Sequence, residues 1–167
     1  MTTDTTIILD HAQIAHKIRR IAYQIYETNV NEDRVVIAGI RENGLLLAKK
    51  LKAAVEDISP IEVLLCEVAM DKKNPIGSVT TSMNESEYTG LSLILVDDVL
   101  HSGTTLIYGV KHFLNVPLKQ FKTAVLVDRN HKKYPVKADF KGISLSTSLS
   151  ENVEVIFEEG KDRAVLV

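Results

Sequence analysis

Apolar residues recur along the first part of the chain with two different patterns. Ile14, Ile18, Ile21, Ala22 and Ile25 fall at i, i+4, i+7, i+8 and i+11, which lays them along one stripe and predicts an amphipathic helix over 11–28, capped by Asp10. Val35-Val36-Ile37-Ala38-Gly39 is instead an unbroken apolar run and predicts a buried strand. A polar turn and a helix over Leu45–Val55 follow, then a second apolar run, Ile61–Val68, that predicts another strand. Between Met70 and Gly90 the pattern lapses into Asp, Lys, Asn, Pro, Ser, Thr and Glu. That is long for a loop inside a compact domain, and loops of this kind often cover active sites. Leu93–Val96 predicts a strand, and 104–115 a helix with Leu106, Ile107, Val110, Phe113 and Leu114 facing inward and Pro117 helping to end it. Thr123–Val127 is one more strand-like run, and shorter pieces near Val136, over Val153–Phe157 and over Ala164–Val167 complete the pattern.

Strands alternating with helices predict an α/β fold: right-handed crossovers, a mainly parallel sheet and helices on both of its faces. Ligands of such sheets bind beyond the carboxyl ends of the strands. The two most polar strand ends, Gly39-Ile40-Arg41-Glu42-Asn43-Gly44 and Asp97-Asp98, are therefore expected to face one crevice. At 167 residues the chain fits a single domain. A formal net charge of −2 gives no basic excess that would point to a nucleic-acid partner. The single cysteine, Cys66, lies in an apolar run, reads as a small buried hydrophobe and suits a reducing cytoplasm. No stretch approaches the roughly 20 apolar residues of a membrane span, and the first ten residues lack a basic start. A cytoplasmic protein without a membrane partner is expected.

The chemistry concentrates in Leu93-Ile94-Leu95-Val96-Asp97-Asp98-Val99-Leu100-His101-Ser102-Gly103-Thr104-Thr105. A buried strand delivers two adjacent carboxylates to its carboxyl end, and a small-Gly-small turn then opens a helix. Backbone N–H groups at such a turn are orphan donors under a favourable helix dipole, which suits a phosphate dianion. Ser102, Thr104 and Thr105 add hydroxyls. Ionised carboxylates only accept hydrogen bonds, so Asp97 and Asp98 suit the paired donors of a vicinal diol. One turn can thus hold both ends of a 5-phosphoribosyl group. Strands ending in Asp-Asp also occur in nucleotide hydrolases and in phospho-acceptor domains, but no Gly-x-x-x-x-Gly-Lys-Ser/Thr loop exists in this chain.

The whole string resembles the phosphoribosyl-diphosphate (PRPP) signature of type I phosphoribosyltransferases. From Ile8 onward the chain resembles one branch of that family, the pyrimidine-operon attenuators called PyrR. Ile8-Leu9-Asp10, Gly39-Ile40-Arg41, the signature, and Ala124-Val125-Leu126-Val127-Asp128-Arg129-Asn130-His131 running on to Pro135, Ala138-Asp139-Phe140 and Gly142 carry the match. The resemblance implies a type I phosphoribosyltransferase fold in one domain over 1–167, with a flexible lid loop at about 70–90 and a small hood from about 128 to the C-terminal segment. It implies transfer of phosphoribosyl from PRPP to a nucleobase, uracil in this branch, together with uridine-nucleotide-sensitive binding to messenger RNA. A purine base is the alternative substrate, and a nucleotide sensor with little catalysis is the alternative function.

By the same resemblance Asp97 and Asp98 hold the ribose hydroxyls, while His101, Ser102, Gly103, Thr104 and Thr105 cradle the 5-phosphate. Ile40, Arg41 and Glu42 bind pyrophosphate around a non-proline cis peptide near Ile40-Arg41. Asp128 and Arg129 recognise the base, or else form a structural ion pair. His101 occupies the position where purine-salvage relatives keep an acid that manages a proton on the base, and it either does that work or lines the turn. Magnesium is implied as a cofactor that arrives with PRPP rather than in a metal site of the protein, and the chains of relatives assemble as homo-oligomers. This chain departs from the branch's usual residues at Met70, Asn43, His101 and Thr104, and along the first helix at Tyr23 and Thr28, beside the retained Arg19 and Arg20. His11, His16, His112 and His131 show no metal-ligand spacing and read as surface or structural.

Overall fold

A computed structural model describes residues 5–129, 131–146, 148 and 151–167. In chain order the elements are β1 (Thr6–Leu9), α1 (His11–Glu27), β2 (Arg34–Ile40), α2 (Asn43–Ile58), β3 (Glu62–Ala69), β4 (Thr80–Thr81), α3 (Glu85–Tyr88), β5 (Ser92–Leu100), α4 (Thr104–Phe113), β6 (Gln120–Arg129), β7 (Phe140–Leu145), β8 (Val153–Ile156) and β9 (Arg163–Leu166). Six strands form the main sheet in the order β4-β3-β2-β5-β6-β7, parallel except for β4. The other three form a small antiparallel sheet in the order β1-β9-β8. Among the described residues no helix is long and apolar enough to cross a membrane.

Side chains alternate across the central strands, so each apolar run feeds two cores. Val35, Ile37, Ile94 and Val96 pack under α1 and α2, whose buried faces are Ile14, Ile18, Ile21 and Ile25 and Leu47, Ala48, Leu51 and Val55. Val36, Ala38, Leu93 and Leu95 pack on the opposite face with Tyr88, Leu106 and Phe113. Burial on both faces is why these strands read as unbroken apolar runs. Asp10 caps α1 as its sequence predicts, in a reciprocal capping box with Gln13. Cys66 is buried among the second set.

Four expectations need correction. The buried line of α4 is Leu106, Gly109 and Phe113, which rotates the helix so that Leu114 lies just past its end, 64% exposed. Val136 lies in no strand; it sits in a loop with its side chain against Gly103, and the sixth main strand is β7 instead. The 70–90 segment is irregular only in its first half. Thr80 and Thr81 pair back onto Ala69 and Val68, and Tyr88 is buried edge-to-face on Phe113 at 5.2 Å. The small sheet does not begin near residue 128: β6 and β7 belong to the main sheet, and β1 from the other end of the chain pairs with β9. The non-proline cis peptide expected near Ile40-Arg41 is present and joins Arg41 to Glu42.

Candidate active site

The carboxyl ends of β2, β3, β5 and β6 gather at one edge of the main sheet. Two adjoining cavities open there. One, of about 240 Å³, is lined by Lys72, the segment from Asp97 to Leu106 and Val125. The other, of about 480 Å³, is lined by Arg41, Glu42, Asn43, Ala69, Met70, Lys72 and Asp98. Lys72 and Asp98 belong to both. The two polar strand ends singled out from the sequence therefore do share a crevice.

The turn from His101 to Thr105 is built to stay open. Gly103 is the residue before α4, with φ +88°, a conformation that glycine adopts without steric cost. A Cβ there would also come within 2.6 Å of Val136 Cγ1. Gly103 offers no capping side chain; Thr104 N donates to Ser102 Oγ at 3.3 Å, and the N–H groups that follow it at the start of the helix are left for a ligand. Ser102 Oγ and Thr104 Oγ1 share a hydrogen bond of 2.8 Å, and the Ser102 carbonyl accepts from Lys133 N and Tyr134 N at 2.7 and 3.0 Å. These contacts fix the loop around the turn. The second cavity ends on another such helix: Glu42 precedes α2 without a side-chain hydrogen bond.

Asp97 is 4% exposed, while Asp98 beside it is half-buried. Asp97 Oδ1 accepts from Asp98 N at 2.9 Å and lies 3.4 Å from Lys72 Nζ. Burial first, and the neighbouring Asp98 charge second, push the Asp97 carboxyl up to about 8, against the opposing pull of Lys72. Asp98 Oδ2 accepts from Asn43 Nδ2 at 3.2 Å, and the same amide donates to the Val155 carbonyl of β8 at 2.8 Å. Arg41 lines the larger cavity and pairs through Nε with Glu67 Oε1 at 3.0 Å. The Ile40 side chain is fully buried in the core, so only its backbone faces the loop.

The remaining expected residues sit differently. Asp128 and Arg129 are both buried and line neither cavity. Asp128 has Lys132 and Lys141 at 3.5 Å as its ion partners. Arg129 reaches the smaller cavity through His101, whose Nδ1 is 2.9 Å from Arg129 Nη1. Loss of water around the ring, then the Arg129 charge, lowers the His101 pKa from its ordinary value. Sequence reasoning missed Lys72 as a site residue, and it missed the contact of Asn43 with Asp98. Asn43 sat inside the marked polar strand end, whereas Lys72 was hidden in a run of polar residues.

No group of three or more His, Cys, Asp or Glu side chains able to hold a metal occurs among the described residues. Magnesium keeps several waters and is commonly held by one or two carboxylates together with substrate phosphates. Asp98, facing both cavities, fits that mode of binding.

The phosphoribosyl transferase domain model matches residues 4–160. The chain is 33% identical to the bifunctional protein PyrR of Fusobacterium nucleatum over the full length of both, and 34% identical to that of Streptococcus thermophilus over 96% of this chain and 95% of the relative. Among solved structures it resembles the hypoxanthine phosphoribosyltransferase of Trypanosoma cruzi (TM-score 0.76, 17% identity, 96% of this chain and 95% of that one). A hypoxanthine-guanine phosphoribosyltransferase from Bacillus anthracis is similar as well (TM-score 0.70, 20% identity, 84% and 82%).

Proposed function

The chain belongs to the phosphoribosyltransferase family, and we propose that it transfers the 5-phosphoribosyl group of PRPP to a nucleobase, uracil, releasing pyrophosphate. The observation that carries this reading is the pair of cavities that meet at Asp98 and Lys72 and each end on a helix whose preceding residue makes no side-chain cap. PRPP carries anionic groups at both ends of a ribose, and the two helix N-termini are spaced by the carboxylates that suit its hydroxyls. Ser102, Gly103, Thr104 and Thr105 take the 5-phosphate. Asp97 and Asp98 accept from the ribose hydroxyls. The larger cavity takes pyrophosphate, with Arg41 turning from Glu67 to the leaving group, where its planar fork gives charge-assisted bonds.

Departure of pyrophosphate builds positive charge on the sugar, so catalysis here means holding the ribose and stabilising the leaving anion. Fixed donors and charges aimed at developing charge are usually the largest catalytic term. Asp98 would hold a magnesium ion that arrives with PRPP, and the ion would supply further charge neutralisation to the pyrophosphate. Residues 70–79 border the crevice through Met70 and Lys72, and their closure would limit hydrolysis of PRPP.

Uracil is assigned from the PyrR relatives; the purine transferases, at 20% identity or less, speak for the fold only. The relatives are called bifunctional, and the resemblance to attenuators makes messenger RNA the second ligand of this proposal. Arg19 and Arg20 give it little support, because Arg19 pairs with Asp57 and Arg20 donates to the carbonyls of Lys141 and Gly142. We propose homo-oligomeric assembly on the same resemblance. The test is wild-type protein with magnesium and PRPP against uracil, hypoxanthine, guanine, xanthine, adenine and orotate, with nucleotide and pyrophosphate measured. Uridine monophosphate is the expected product. A purine nucleotide alone overturns the base assignment, and no turnover of any base overturns the enzyme reading in favour of a sensor.

A further inference from the structure

Arg129 ends β6 at 7% exposure, yet it lines neither cavity. Its Nη1 lies 2.9 Å from His101 Nδ1, and its Nη2 donates to the backbone carbonyls of Ser148 and Glu151. A guanidinium has five donors and no acceptor, and it keeps its proton in proteins. His101 Nδ1 is therefore the acceptor of that contact. The ring must then be neutral, with its one proton on Nε2. The charged groups facing the ring are Arg129, Lys72 and Asp98; the loss of water and the two cations outweigh Asp98 and lower the ring's pKa, in the same direction as the geometry.

The position of this ring gives the fixed proton a use. His101 lies three residues after Asp98 and immediately before Ser102, and it lines the same 240 Å³ cavity as both. In the phosphoribosyl reading, a ribose held by the carboxylates with its 5-phosphate on this turn carries its base at the cavity that His101 lines. Proton abstraction from the base would need the acceptor nitrogen, and Arg129 occupies it. What remains is a donor.

We infer that His101 Nε2–H donates to a ring carbonyl of the base, with Arg129 as the positioning residue that fixes the tautomer, so that oxo-bearing nucleotides are bound over their amino counterparts. This rests on the phosphoribosyl reading above. An exocyclic amino group in the same place would set donor against donor and leave both unsatisfied, an arrangement that polar sites reject strongly. Uridine against cytidine nucleotides, and inosine against adenosine nucleotides, differ at that edge.

Two measurements test the inference, one of which needs no nucleotide. Nitrogen-15 NMR of histidine-labelled full-length protein at pH 7 should show His101 protonated at Nε2 and bare at Nδ1. A ring protonated at Nδ1, or at both nitrogens, overturns the inference. Calorimetry with UMP, CMP, IMP and AMP should give about tenfold tighter binding of each oxo nucleotide than of its amino partner. His101→Leu should bring both ratios close to one, and His101→Gln, which restores an amide donor, should recover several-fold preference. Arg129→Met should blur the tautomer signal and the preference together, and the two His101 variants carry the test if that protein does not fold. Preference unchanged in His101→Leu, or absent in wild type, overturns the donor assignment alone. Binding of none of the four overturns the phosphoribosyl reading itself.

Discussion

Asp97 sits where its charge is resisted, at 4% exposure and next to a second carboxylate. Its folded-state pKa, about 8, stands above the 3.8 of an unhindered aspartate. Between those values the folded chain holds a proton that the unfolded chain has released, so the contribution of Asp97 to stability falls as pH rises through that window. Asp97→Asn cannot titrate. Its melting temperature relative to wild type should therefore climb between pH 5 and pH 8 and level off above, read by thermal unfolding at each pH; a difference that stays constant would contradict the buried-charge account. The same substitution, like Asp98→Asn, should abolish phosphoribosyl transfer while the fold persists, and retained activity would sink the ribose-diol role. Lys72 opposes the upward shift, so Lys72→Gln should move the levelling-off to higher pH. The carboxylates and the glycine turn after them were legible because their residues are contiguous. Lys72 and Asn43 were not, because they meet Asp97 and Asp98 across 25 and 55 residues of chain, and only the folded sheet brings those ends together.

Elements were legible where burial on both faces left a long apolar run, as in β2, β3, β5 and the middle of β6. They were hidden where the element is short or half-exposed. β7 reads Phe-Lys-Gly-Ile-Ser-Leu, with Lys141 and Gly142 interrupting its apolar positions. α3 is four residues of Glu-Ser-Glu-Tyr, so polar that only its last side chain marks it as structured. Tyr88 nevertheless anchors the far end of the 70–90 segment, fully buried against Phe113, with a hydroxyl that has no hydrogen-bond partner. Tyr88→Ala should cost about 3–5 kcal/mol, as for other large buried aromatics. Tyr88→Phe removes an unsatisfied polar atom without changing the ring and should be neutral or stabilising by up to about 1 kcal/mol. Denaturant unfolding of both variants checks the pair; a clearly destabilised Phe variant would mean that the hydroxyl is bonded. At the start of α2 the chain is tighter still. A Cβ on Gly44 would meet the Val96 carbonyl at 2.7 Å and Asp97 Cα at 3.1 Å, so Gly44→Ala should cost about 1–3 kcal/mol through overpacking. It should also impair transfer, because the helix it displaces adjoins the loop proposed to bind pyrophosphate.

The molecule is two sheets joined at the site, and Asn43 is one of the seams. Its amide donates to Asp98 Oδ2 at the end of β5 and to the Val155 carbonyl of β8 in the small sheet, so one side chain ties the larger cavity, the Asp98 carboxylate and the small sheet together. Other contacts hold the small sheet in place, including the Asp162 carboxylate with Lys50 at 3.2 Å and with His11 at 3.5 Å, so loss of the seam should loosen the junction rather than unfold the protein. Asn43→Ala removes two hydrogen bonds worth about 0.5–1.5 kcal/mol each and leaves Asp98 free to turn away. The expected result is a rise of about tenfold in KM for PRPP with a smaller change in kcat, together with faster amide hydrogen exchange in β8 than in β5. Asn43→Asp keeps the size but sets a carboxylate against Asp98 and a carbonyl, two acceptors and no donor, and should be worse on both counts. If Asn43→Asp bound PRPP as well as Asn43→Ala, the amide would be filling space only, and the coupling of the two sheets would have to run through the ion pairs of Asp162 instead.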